Sequence, residues 1–365
     1  MNIYFRPSRG RGNKYVGNMI ETIKNCGFNI INKKHGHNFY PMIFLRIFWR
    51  LFKRTKIFHF NWIINNYARD NNIKDKFRVK IIQLWMILMK KIGVKFIWTM
   101  HNKKPHDLVE TKLALKFRDF LLQTCDKIVI HSKNSKKYIE KIMGGKSLDK
   151  LYYIPHGNYI NNYKIAKKDY RNKYKLKEND FVFLYFGIIR EYKNLDILIE
   201  AFKDINIINA KLLICGNPIN KRIKKKIERI SKDENIILDM RFIKDNEINK
   251  IFKTADVTVL PYSKESVLNS GTVLLSYSLK KPSIISKIPS IQDIKNKSFV
   301  FSYNYSDAHE HLKKLKKILK NVYQKYYNNY DNLKKEGNKA YDYVKKYNNW
   351  SIVEKRLKKL YNKLS

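Results

Sequence analysis

The chain has 365 residues, with 76 Lys and Arg against 31 Asp and Glu, a formal charge of +45. No run approaches the ~20 apolar residues of a spanning helix, and the N-terminal MNIYFRPSRGRG lacks the apolar core of a signal peptide. Three scattered cysteines, Cys26, Cys125 and Cys215, exclude a disulfide framework or a zinc site and fit a reducing compartment. The expectation is a cytoplasmic protein of about two domains. Lysines spread over solvated faces account for much of the charge, but its placement is uneven. No acidic residue lies between Glu21 and Asp70.

Short apolar runs alternate with amphipathic stretches along the whole chain. The first series is Asn2–Phe5, Lys56–Phe60, Lys95–Met100, Lys127–Ile130 and Leu151–Ile154. The second is Phe181–Phe186, Lys211–Cys215, Ile236–Leu238, Asp256–Leu260 and Ser283–Ile285. Continuous apolar runs bounded by polar turns predict strands buried on both faces. Helices between them predict parallel βαβ units, so the fold class is α/β with two doubly wound, Rossmann-like domains. The polar stretch from Asn158 to Lys177 contains the boundary, giving domains at 1–165 and 166–345. After Phe301 the chain reads as Lys-rich helix to its end.

Between these runs, residues 41–54, PMIFLRIFWRLFKR, place Arg46, Arg50, Lys53 and Arg54 on one helical face and Ile43, Phe44, Ile47, Phe48 and Leu51 on the other. Such a helix either lies on an anionic membrane surface or packs its apolar face in the core.

Ligands of open α/β sheets bind outside the carboxyl ends of the strands. Four histidines fall there: His59, His101, His131 and His156. His101, between a buried strand and the turn Asn102-Lys103-Lys104-Pro105, is the candidate for chemistry. His59 and His131 are equally read as packing or loop-bonding residues, and His156 as part of a turn with Gly157. The first strand runs into a loop with Gly10 and Gly12, flanked by Arg9, Arg11 and Lys14 and followed by Asn13 and Tyr15. Such a loop can approach a phosphate through its backbone. In the second half, a strand ends at Gly187, and the loop after it carries Arg190 and Lys193 before a helix beginning near Leu195. A further helix begins near Ser270, Gly271 and Thr272, where backbone N–H groups and the helix dipole favour an anion. Two cations and a helix N-terminus suit a diphosphate. No Asp-x-Asp pair is present, and no metal or other cofactor is expected.

FGIIREYKNLDILIEAF, KLLICGNP, DNEINKIFKTADVTVLPYS and NSGTVLLSYSLKKPSII resemble, in order and spacing, the donor domain of family-4-like glycosyltransferases of the GT-B fold. IFHFNW, WTMHN, DKIVIHSKNSKKYI and YIPHGNY resemble the first half of such enzymes in the same order. The asparagine and tyrosine of Asn13-Lys14-Tyr15 resemble a motif of polysaccharide-assembly members. The resemblance implies two domains facing a cleft, with the last helix, 346–365, crossing back onto the first domain. It implies sugar transfer from a nucleotide-diphosphate sugar to a lipid-linked or oligosaccharide acceptor in bacterial surface polysaccharide synthesis, at the inner face of the plasma membrane. By the same resemblance, Arg190, Lys193, Ser270, Gly271 and Thr272 hold the diphosphate, and His101 lies beside the donor sugar. Arg241, Phe242 and Ile243 hold the base, mainly through backbone, and Gly10, Gly12, Asn13 and Tyr15 form the acceptor-side loop. One departure stands out. A pair of glutamates usual in the family is replaced by Val267 and Leu275, and Glu265 lies nearby but out of register, so the ribose ligand and the stereochemical outcome stay open. A nucleic-acid-binding module and a catalytically inactive scaffold are the alternatives; no nucleic-acid motif is present and no specific nucleic acid is expected.

Overall fold

The computed structural model describes residues 1–7, 13–31, 55–68, 72–103, 112–144, 148–294 and 297–365. Among them the chain forms two compact units, Met1–Gly157 with Asn348–Ser365, and Asn158–Tyr347. The first unit ends at Gly157 and not at 165 because the next residues bond to the second. The Asn158 amide donates to the Val344 carbonyl at 3.0 Å, and the Tyr159 N–H donates to Ser278 Oγ at 2.9 Å.

In the first unit, β1 (Asn2–Arg6), β2 (Asn29–Ile30), β3 (Thr55–Asn61), β4 (Lys95–Thr99), β5 (Lys127–Ile130) and β6 (Leu151–Tyr153) form one parallel sheet in the order β2-β1-β3-β4-β5-β6. The chain's last helix, Trp350–Leu364, belongs to this unit. Its Val353, Leu357, Leu360 and Tyr361 share a core with Ile3, Phe5, Val16, Ile57 and Ile97. Asn349 caps it, accepting from Ser351 N. The Trp350 indole occupies the place a side chain would take at Gly157: a Cβ there would stand 2.3 Å from the ring. Close approach, rather than a turn requirement, fixes that glycine.

In the second unit, β7 (Phe181–Phe186), β8 (Ala210–Cys215), β9 (Ile236–Asp239), β10 (Val257–Leu260), β11 (Ser283–Ser286) and β12 (Val300–Tyr303) form a parallel sheet in the order β12-β11-β10-β7-β8-β9. The central strands β7, β10 and β11 are buried at every position, while the edge strands β9 and β12 are half exposed. This is why continuous apolar runs marked the centre well. β12 lies in KSFVFSY and runs past Phe301, where Lys-rich helix is expected, and helix begins only at Ala308. β7 and β10 are neighbours reached in opposite directions along the chain, so the topological switch point lies between their carboxyl ends. Helices follow the strands with simple local logic. In Lys221–Ile230 only Ile223 and Ile227, one turn apart, are buried, and Asn220 caps the start by accepting from Ile223 N at 2.9 Å.

Candidate functional site

In the second unit the residues at the switch point converge. β7 ends at Phe186, and Gly187 follows with φ +126°, a region open to glycine. The loop continues through Arg190, in extended conformation, into the short turn Glu191–Lys193. Lys193 turns back over the sheet end, its Nζ 4.9 Å from the centre of the Tyr262 ring. β10 leads through Pro261 and Tyr262 to the helix Gly271–Ser278. Ser270 is its N-cap, and its Oγ accepts from Val273 N at 3.3 Å. That bond serves the third residue of the first turn. The ladder itself supplies no acceptor for the amides of Gly271 and Thr272.

Lys193 and Thr272 meet at Gly187. A Cβ on that glycine would stand 3.3 Å from Lys193 Nζ and 3.4 Å from Thr272 Oγ1. An ammonium, a hydroxyl and a helix N-terminus therefore gather around one small volume that the absent side chain leaves open. The helix has no acidic residue in its first turn. Arg190 lies close enough to Tyr185 to oppose the burial that raises that phenol's pKa. Its geometry and charge suit an anion.

The other residues assigned to the second unit divide. Arg241 is committed to carboxylates: its guanidinium donates to Asp239 at 2.7 and 3.1 Å and to Glu247 at 2.7 and 2.6 Å. That pairing holds Glu247 down at about 2. The Arg241 side chain thus braces the end of β9, leaving Phe242, two-thirds exposed, as the projecting side chain, while Ile243 is buried. Glu265 is exposed on the loop before the helix, and the Lys264 amide beside it donates to Tyr305 Oη at 3.1 Å. Val267 and Leu275, at the places where the resemblance implies carboxylates, are core residues.

In the first unit, Asn13 caps the helix Lys14–Asn25, and Tyr15 stands on its first turn among three histidines from three strand ends. The Tyr15 ring centre is 5.3 Å from His101, 5.6 Å from His131 and 4.6 Å from His156. Hydrogen bonds fix the protons of two of these rings. His131 Nδ1 donates to the Ile154 carbonyl at 2.9 Å, so its Nε2 accepts from the Tyr15 hydroxyl at 3.1 Å. His156 Nδ1 donates to the Gly157 carbonyl at 2.8 Å. Burial depresses His131 to about 4 and, with His131 beside it, His156 to about 3. Both are neutral at pH 7. His59 is fully enclosed, bonded through Nδ1 to the Tyr361 hydroxyl and through Nε2 to Thr99 Oγ1, each at 2.7 Å. It is a packing residue.

His101 differs. Its Nε2 lies 2.9 Å from Asn61 Oδ1, and Asn61 is oriented by the bond from its Nδ2 to the Arg6 carbonyl at 3.1 Å. Asn61 therefore accepts, Nε2 carries the proton, and Nδ1 of neutral His101 carries the lone pair. The ring stacks on Trp62 with centres 4.3 Å apart and planes 13° apart. Trp62 itself holds φ +45° and ψ +30°, a left-handed conformation rare for a bulky residue and characteristic of functional positions. Beside them opens a shallow recess whose walls include Trp62, Trp98, Met100, His101 and Arg118. Asn61, Trp62 and Arg118 were not singled out from the sequence. The only trace of the first two is their place at the end of a strand that runs into IFHFNW. Gly10, Gly12 and the amphipathic stretch 41–54 lie outside the described residues.

Residues 166–340 match the family glycosyl transferases group 1. The chain is 21% identical over 235 residues to a GDP-mannose:glycolipid 4-beta-D-mannosyltransferase of Xanthomonas campestris pv. campestris, covering 64% of this chain and 61% of that one. It is 24% identical over 218 residues to a lipopolysaccharide 1,2-N-acetylglucosaminetransferase of Salmonella typhimurium, covering 58% and 55%. The chain thus spans about three fifths of the length of these curated relatives. Among solved structures, Anabaena Alr3699/HepE in complex with UDP and glucose superimposes over 100% of both chains with TM-score 0.70 at 11% identity. The catalytic domain of starch synthase IV from Arabidopsis thaliana, bound to ADP and acarbose, covers 89% of this chain and 76% of that one with TM-score 0.64 at 12% identity. Residues 166–340, just under half of the chain, are thus similar to the group 1 glycosyl transferases, and its two Rossmann-like units have the fold of GT-B enzymes.

Proposed function

We propose that the chain transfers a sugar from a nucleotide-diphosphate sugar to a lipid-linked or oligosaccharide acceptor in bacterial surface polysaccharide synthesis, working at the inner face of the plasma membrane. The observation that carries this is the convergence of Lys193 Nζ, Thr272 Oγ1 and the Gly271 helix start on the open side of Gly187. The glycolipid and lipopolysaccharide substrates named for two relatives support the acceptor class.

In glycosyl transfer the bond from the anomeric carbon to the diphosphate breaks, and an acceptor oxygen bonds to that carbon. Negative charge grows on the departing diphosphate, and donors fixed in advance around it lower the barrier. Lys193, Arg190 and the first-turn amides supply that field without a metal ion. Phe242 and the backbone beside it take the base, and the exposed Glu265 takes the ribose. On the acceptor side, His101 Nδ1 receives the acceptor hydroxyl's proton if configuration inverts. In a retaining reaction the same ring orients the sugar instead. Asn13 and Tyr15 stand on the acceptor side. The test is a panel of UDP-, GDP- and dTDP-sugars with and without EDTA, scored by release of nucleoside diphosphate. Turnover that survives EDTA and falls in Lys193→Ala supports the reading; strict dependence on added divalent metal overturns the metal-free field.

A further inference from the structure

The helix Ile73–Lys91 has two apolar faces. One is accounted for: Val79, Ile82, Trp85, Met86 and Met89 are buried, and Trp85 packs edge-on against Phe58 and Phe96. The other is not. Ile73 is 83% exposed, Phe77 65%, Leu84 59% and Leu88 49%. At 100° per residue these four fall within about 60° of one another, a stripe from Ile73 to Leu88 of roughly 22 Å at 1.5 Å per residue. Ile87 and Ile92 widen it.

Cations border the stripe on both sides. Lys76 and Lys80 are exposed along one edge, Lys74 and Arg78 along the other, and Lys91 in line with Ile73 in the last turn. The helix has one acidic residue, Asp75, which is buried and bonded to Arg78 at 3.3 Å. An exposed apolar stripe between two rows of cations, with no exposed carboxylate, has the chemistry of a helix that lies in a lipid interface. Apolar side chains enter the acyl boundary, and lysines meet lipid phosphates. A neutral protein partner would leave the cations unused, and a nucleic acid would leave the stripe unused.

We infer that the outer face of the helix Ile73–Lys91 is a docking surface for an anionic membrane. The inference deepens the membrane-side reading above by naming the surface, and it does not depend on sugar transfer.

The test uses the full chain and vesicles of phosphatidylcholine alone or mixed equally with phosphatidylglycerol, read by co-sedimentation. One variant carries Phe77→Ser, Leu84→Ser and Leu88→Ser; a second carries Lys76→Glu, Lys80→Glu and Lys91→Glu. All six positions are exposed, so circular dichroism and the thermal shift with UDP or GDP should match the parent. The expected result is binding to the mixed vesicles that weakens with salt, and a loss of at least tenfold in each variant. Equal binding to neutral vesicles, or unchanged binding in both variants, overturns the proposal. So does a parent chain that ignores vesicles but whose concentration-dependent self-association disappears in the serine variant, which makes the stripe a contact between copies. Vesicle binding that behaves as expected in a chain without transferase activity sustains the docking surface and overturns the functional reading alone.

Discussion

Replacing Gly187 by alanine tests the anion site at its narrowest point. Two costs follow from the structure. The first is conformational: at φ +126° an L side chain is strained, with a penalty on the order of 1–3 kcal/mol. The second falls on the ligand. The new methyl would stand 3.3 Å from Lys193 Nζ and 3.4 Å from Thr272 Oγ1. These distances are close to those at which a phosphate oxygen would accept from both, so methyl and phosphate compete for one place. Loss of charge-assisted hydrogen bonds worth about 1.5–3 kcal/mol weakens binding roughly 10- to 150-fold. Isothermal titration with UDP and GDP measures this directly, with circular dichroism as the check on folding. Lys193→Ala removes one donor without backbone strain and separates the two costs: it should lose affinity with little change in melting temperature, whereas Gly187→Ala loses both. A folded Gly187→Ala chain that binds nucleoside diphosphate as tightly as the parent would refute the placement of the phosphates.

Other outcomes follow from the first unit. His101→Ala should lower kcat by about 10²–10⁴-fold if Nδ1 is the general base, with nucleoside diphosphate affinity unchanged because the residues assigned to it lie in the second unit; near-parental turnover would return the ring to a structural role. Asn61→Asp puts a carboxylate against Nε2, which favours the imidazolium, so the acidic limb of the rate profile should move to higher pH, and an unmoved limb would contradict the assigned tautomer. His59→Ala should act on stability, since it strips partners from Tyr361 and Thr99 at about 1–3 kcal/mol for each orphaned group. Acid should also unfold the first unit early. His59 and His156 sit at about 3 and His131 at about 4, below the ordinary 6.5. Protons therefore bind the unfolded chain first, so stability is full above pH 6.5 and declines as pH falls toward 4. At pH 5 the loss is about 2 kcal/mol per histidine. Calorimetry at pH 7 and pH 5 checks this; a first unit equally stable at both would contradict the buried neutral rings.

Much of the fold was readable because its central strands are buried on both faces and so consist of unbroken apolar runs, as in Phe181–Phe186. β12 was not, because an edge strand with one buried tyrosine in a lysine-rich setting carries little apolar signal. The helix N-cap at Ser270 was readable from local chemistry, and so were the strand-end histidines. What separates those histidines was not. His59 and His101 both end apolar runs. Only the tertiary partners, Tyr361 and Thr99 for one and Asn61 and Trp62 for the other, make the first inert and leave the second with a defined lone pair. Arg241 shows the opposite limit. A cation in a region assigned to the nucleotide base proves to be held by Asp239 and Glu247, the latter six positions along the chain. The outer stripe of Ile73–Lys91 was hidden by its inner one, since a helix apolar on two faces reads simply as buried.

The central proposal is a nucleoside diphosphate held at Gly187, Lys193 and Thr272 by cations and a helix start. Its most direct test is thermal stability of the purified chain in EDTA with UDP, GDP and dTDP, beside the corresponding monophosphates, in the parent and in Lys193→Ala and Arg190→Ala. At least one diphosphate should stabilise the parent, by about 2.7 kcal/mol at 100 times its dissociation constant. Its monophosphate should do so far less, and both variants should lose the difference. No stabilisation by any diphosphate, or equal stabilisation in both variants, would contradict it.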